Sequence, residues 1–144
     1  MKATAQQSYM AYNALCAVLE HNDIDYRSNK QKLCVTCRVC CKDIEPDFVF
    51  LIDPPKMLAT LHVPIPVIIH PDNLSDLSVG LCIINNTLTD GQFCLDITRR
   101  RITFRLTSSF YNSRLHPPVF EYMLSAAADA VDEYYPKILL LSAA

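Results

Sequence analysis

Gly91-Gln92-Phe93-Cys94-Leu95-Asp96-Ile97-Thr98-Arg99-Arg100-Arg101-Ile102-Thr103-Phe104-Arg105-Leu106 decides the fold class. Phe93, Leu95 and Ile97 alternate with Gln92, Cys94 and Asp96. Ile102, Phe104 and Leu106 alternate with Thr103 and Arg105. A period of two places successive side chains on opposite faces of a strand. The two runs flank a charged tip at 98–101, so they read as a hairpin. Asp90-Gly91 breaks the chain just before it.

Helical periodicity frames this hairpin. Leu74, Leu77, Leu81, Ile84 and Leu88 recur every three or four residues. That stripe predicts a helix near 72–88, with Asp72 or Asn73 as its N-cap. Gly80 inside it costs about 1 kcal/mol against alanine and marks a close approach. Downstream, Pro117-Pro118 suits the first turn of another helix. Phe120, Leu124, Ala127, Val131 and Tyr134 line one face of it, with Met123 beside them. It is predicted over 117–135. Pro136 kinks or ends it, and an apolar tail follows at 137–141.

Upstream, Tyr12, Leu15, Cys16 and Leu19 form the stripe of a helix near 6–21. A short strand at 24–26 and a turn at 28–30 follow. Residues 33–43 alternate, with Leu33, Val35, Cys37, Val39 and Cys41 on one face. Further strands are predicted at 48–52 and 57–63, after which Pro64 and Pro66 leave the sheet because proline cannot donate to a ladder. The order α-βββ-α-ββ-α predicts an α+β domain built on an antiparallel sheet. Residues 1–144 are expected to form one domain.

Composition narrows function. Gly80 and Gly91 are the only two glycines in 144 residues. A P-loop, a dinucleotide fingerprint and a nucleophile elbow each need two or more closely spaced glycines, so none can be written here. The formal charge of −2 gives no global pull toward nucleic acid or acidic lipid. Met1 to Gln7 holds no apolar run, and the longest apolar stretch, 57–69, is too short to cross a bilayer. The expectation is a cytoplasmic protein whose seven cysteines are reduced thiols.

The second half resembles the YbjN family of bacterial proteins. The resemblance is carried by Ile83-Ile84-Asn85-Asn86, by Gly91, Phe93, Phe104 and Arg105 of the hairpin, and by Asp132-Glu133-Tyr134-Tyr135-Pro136. It covers roughly residues 63–141, while the first half matches in element order alone. It implies a fold like that of the type III secretion chaperones, and a small bacterial cytoplasmic regulator that acts by binding proteins, with no established catalysis. The family's hairpin often turns on small or acidic residues, whereas this one carries Arg99-Arg100-Arg101.

Four features are candidates for chemistry. Cys34, Cys37, Cys40 and Cys41 have the spacing of a metal or redox site. Strand alternation puts Cys34 and Cys40 on one face and Cys37 and Cys41 on the other, so no metal and no cofactor is expected. A thiol-based metal or redox sensor is the first alternative function. Arg99, Arg100, Arg101 and nearby Arg105 form the basic run. They could grip phosphate or an acidic protein, or stand as a solvated tip that discourages edge pairing. A nucleic-acid binder is the second alternative, although such proteins usually present a wider basic face. The four histidines lie in different segments without ligand spacing. Asp129, Asp132 and Glu133 read as a solvated helix face.

The apolar excess is the strongest functional signal. Apolar residues are 51% and charged ones 19%, and mean hydropathy is +0.14. If each helix buries one stripe on the sheet, Ile83, Met123, Ile138 and Leu140 are left over. The leading expectation is a non-enzymatic protein-binding module, a homodimer with a further protein partner, acting through an exposed apolar patch.

Overall fold

The computed structural model describes residues 2–143. Helix α1 spans Lys2–His21. Four strands follow: β1 Tyr26–Asn29, β2 Cys34–Arg38, β3 Asp47–Asp53 and β4 Leu58–Ile65. A 3-10 turn at Pro71–Asn73 leads into α2, Leu74–Thr87. Strands β5, Gln92–Asp96, and β6, Arg101–Ser109, make the hairpin. Helix α3, Pro117–Ser142, closes the chain.

The strands form one six-stranded sheet in the order β1-β2-β3-β4-β6-β5, every pair antiparallel. Strand β6 enters between β4 and β5, so β5 becomes an edge. The α+β fold predicted from periodicity is the one observed, and the short strand expected before residue 30 joins the sheet as β1, making four strands ahead of α2. Alternation does the sorting. Phe48, Phe50 and Ile52 of β3, Leu61 and Val63 of β4, and Phe104 and Leu106 of β6 are all buried. Their neighbours at Val49, Leu51, Thr60, His62 and Arg105 lie on the other face and are half-buried or exposed. All three helices contribute to the buried layer. α1 packs on β3, α2 on β5, and α3 on β4 and β6 with a helix on each flank.

Several boundaries differ from expectation. The first strand is β1 at 26–29, so Ser28 and Asn29 pair with β2 where a turn was predicted. β2 begins at Cys34, because Leu33 takes a left-handed φ of 52°. It ends at Arg38, because 39–46 fold back, with Cys41 N–H donating to the Ile44 carbonyl at 2.9 Å. Pro64 stays inside β4 opposite Thr103. The β3 ladder has already ended at His62, so proline's missing donor is tolerated there.

The largest difference is at Pro136, which sits inside α3. Proline in a helix interior costs roughly 3 kcal/mol. Here its ring is on the exposed side, and the turns beyond it carry buried Ile138 and Ser142. Leu141 lies against Gly80 so closely that a methyl group there would overlap it. The close approach expected at Gly80 is the α2–α3 contact.

Candidate functional site

Helices cover one face of the sheet, and the opposite face is open. Register lines up Thr36, Val49, His62, Arg105 and Gln92 across five strands of that face. The next row is Cys34, Leu51, Thr60 and Thr107. Leu51 is 39% exposed. A groove of about 570 Å³ crosses this face, lined by Leu51, Leu58, Lys56, His62, Arg105 and Asp90 among others. Burial, and then the Arg105 guanidinium, push the His62 pKa below its usual value. The groove mixes apolar side chains with charges of both signs.

The predicted arginine cluster divides. Arg105 faces the open sheet, whereas Arg99 and Arg100 line a different groove at the end of the molecule. The turn that carries them is fixed by the Asp96 carboxylate, which accepts from Arg99 N–H at 3.0 Å. Arg100 has a left-handed φ of 54°. Arg101 begins β6 opposite Asp96.

The apolar set also divides. Ile83 is 56% exposed and Leu140 79%. Met123 and Ile138, expected on the surface, are fully buried. α3 is the central helix, enclosed by the sheet and by both other helices, so its buried arc is wider than one stripe. Ile138 continues the Val131 face one turn beyond Pro136. Val79, 61% exposed, joins Ile83 on the outer side of α2. Its i,i+4 spacing from Ile83 is the sequence signal for this outer pair, weaker than the Leu77–Leu81 stripe beside it.

Most of the residues carrying the resemblance build structure. Phe93 meets Phe104 edge-on with ring centroids 5.0 Å apart. Tyr134 covers the outer side of Phe93 at 6.2 Å, and its hydroxyl shares a 2.8 Å hydrogen bond with Thr87 Oγ1. Gly91 has a φ of 77° and abuts the Phe104 ring. Tyr135 is partly buried against the core. Tyr122 donates to Asp90 at 2.9 Å, and this bond raises its pKa.

The cysteines do not converge. Cys37 and Cys41 are buried, Cys34 is half-buried and Cys40 exposed. Burial first, with smaller effects of Asp47 at Cys37 and Asp132 at Cys41, pushes both thiols up to about 11. Thiols so shifted stay protonated and are poor nucleophiles and ligands. Among the described residues, no group of three His, Cys, Asp or Glu side chains is placed to hold a metal ion. Nor is any helix among them long and apolar enough to cross a membrane.

Comparison with solved structures shows what this architecture is. The chain superposes on one from the crystal structure of the ExsC–ExsE complex with a TM-score of 0.61 and 13% sequence identity. The match covers 91% of this chain and 92% of that one. A chain of the HopA1–SchA chaperone–effector complex gives a TM-score of 0.60 at 9% identity, over 89% of this chain and 97% of that one. The fold is of the type III secretion chaperone kind. No protein-family model matches the chain, and no curated protein matches it in sequence.

Proposed function

We propose that this protein is a non-enzymatic protein-binding module, chaperone-like or regulatory, that holds a partner on its uncovered sheet face and self-associates as a homodimer. The observation that carries this is the sheet itself. Val49, Leu51 and Leu58 lie on a face that no helix covers, beside Arg105 and His62. The exposed area supports it. The chain exposes 8653 Å², whereas a monomer of this mass usually exposes roughly 7,500 Å². Burial of about 800 Å² per partner makes an ordinary stable interface. Likeness to chains from the ExsC–ExsE and HopA1–SchA complexes favours a protein as the occupant, and the YbjN resemblance points the same way. The outer side of α2, with Val79 and Ile83, and Leu140 near the end of α3 are the natural self-contact.

A photo-crosslinking amino acid at Leu51, in the native host, tests the partner face. Covalent protein adducts are expected at Leu51 and not at exposed Tyr111. Equal labelling at both positions, or none at either, would reject the sheet face as the binding surface.

A further inference from the structure

The groove holding Arg99 and Arg100 has a volume of about 600 Å³. Its other walls are the loop at 67–71 and the end of α3 at 142–143. The loop is tied down rather than free. His70 N–H donates to the Ser142 carbonyl at 3.1 Å, and the Asn73 amide donates to the same carbonyl at 3.3 Å and to that of Ala143. Ile68 nonetheless stands 93% exposed on it. Across the groove the hairpin tip is held by Asp96. Of the nearby acidic residues, Asp96 accepts from the Arg99 N–H through its carboxylate, and Asp72 donates its main-chain N–H to His70 Nδ1 at 3.3 Å. Among the described residues, neither the Arg99 nor the Arg100 guanidinium has a carboxylate partner.

Two exposed guanidiniums without a carboxylate partner, lining one groove with an exposed branched apolar side chain, define a ligand by complementarity. Guanidinium recognises carboxylate through paired, charge-assisted hydrogen bonds. Ile68 calls for an apolar side chain next to them. We propose that this groove takes a short acidic segment of the partner protein, with carboxylates set beside an apolar residue. The inference rests on the protein-binding reading above and adds a chemistry for one part of the partner. The net charge of −2 opposes attraction to an anionic membrane or to nucleic acid. A peptide needs only the local match.

The test is selection of a displayed random-peptide library on the intact protein, followed by fluorescence anisotropy of the best peptide. Enriched peptides should pair carboxylates with an apolar residue. Their affinity should fall about tenfold or more in Arg99→Glu/Arg100→Glu, fall with added salt, fall in Ile68→Ser, and hold in Leu51→Glu. Circular dichroism checks that each variant is folded. Peptides that bind the double arginine variant normally but lose Leu51→Glu would overturn this site and leave the protein-binding reading standing. No enrichment of acidic peptides would also overturn it. So would arginine-dependent binding of phosphatidylserine vesicles or duplex DNA in preference to any peptide.

Discussion

The side-chain amide of Asn85 clasps the main chain of Phe93. Its Oδ1 accepts from Phe93 N–H at 2.8 Å, and its Nδ2 donates to the Phe93 carbonyl at 2.9 Å. β5 is an edge strand, so these groups would otherwise face outward unpaired. α2 therefore closes that edge as a neighbouring strand would. Asn85→Ala should lower stability by about 1–3 kcal/mol, because both backbone groups lose their partner. Asn85→Asp keeps the acceptor but sets a carboxylate oxygen against the Phe93 carbonyl, so it should cost at least as much. Urea unfolding of the two variants checks the order, and an unchanged midpoint in Asn85→Ala would show the clasp to be idle.

Gly91→Ala is expected to destabilise. A left-handed φ costs a residue with a Cβ roughly 1–2 kcal/mol, and the new methyl would also crowd the Phe104 ring and lie 3.2 Å from the Arg105 carbonyl. A thermal melt that matches wild type would contradict this.

Met123 and Leu140 should respond in opposite ways. Met123→Ala empties a fully buried site and should cost about 2–5 kcal/mol. Leu140→Glu changes an exposed position, where stability usually moves by no more than about 0.5 kcal/mol. Light scattering of the native protein should give a mass near twice 16.3 kDa, falling to one chain in Leu140→Glu without loss of fold. A wild-type monomer at high concentration would remove the homodimer.

His62 ties stability to pH. Its folded pKa is lowered by burial and by Arg105, so the unfolded chain takes up the proton more readily. Its contribution is complete above the unfolded value of about 6.5 and is lost as pH falls through the folded one. Urea midpoints should therefore drop more on acidification in wild type than in His62→Gln. Parallel curves would remove His62 as the source.

Strand alternation and helical stripes made most of the architecture legible from the residues alone. Phe93 to Leu106 and Leu74 to Leu88 each show their period without help from distant contacts. What stayed hidden depends on such contacts. Pro136 carries a local stop signal, overridden by Ile138 and by Leu141 on Gly80. Met123 looks peripheral on a helical wheel, and becomes core because α3 is enclosed on several sides. The arginine run was visible, but its division into Arg105 on the sheet and Arg99 and Arg100 at the tip follows from which strand face each occupies. Nothing local marks Asn85 as a clasp, since its partner is fixed only once α2 docks on β5.

Strand order also governs how the molecule must assemble. Ile65 of β4 pairs with Ile102 of β6, while α2 and all of β5 lie between them in the chain. During synthesis, β4 is therefore made with one flank unpaired, and it waits there while α2 and β5 emerge. For that interval the nascent chain displays an eight-residue alternating edge, the kind of surface on which strands from other molecules add. Closing it is a long-range step, slow relative to the local hairpins that precede it. Yield in the cell should thus be most sensitive to how fast β6 arrives.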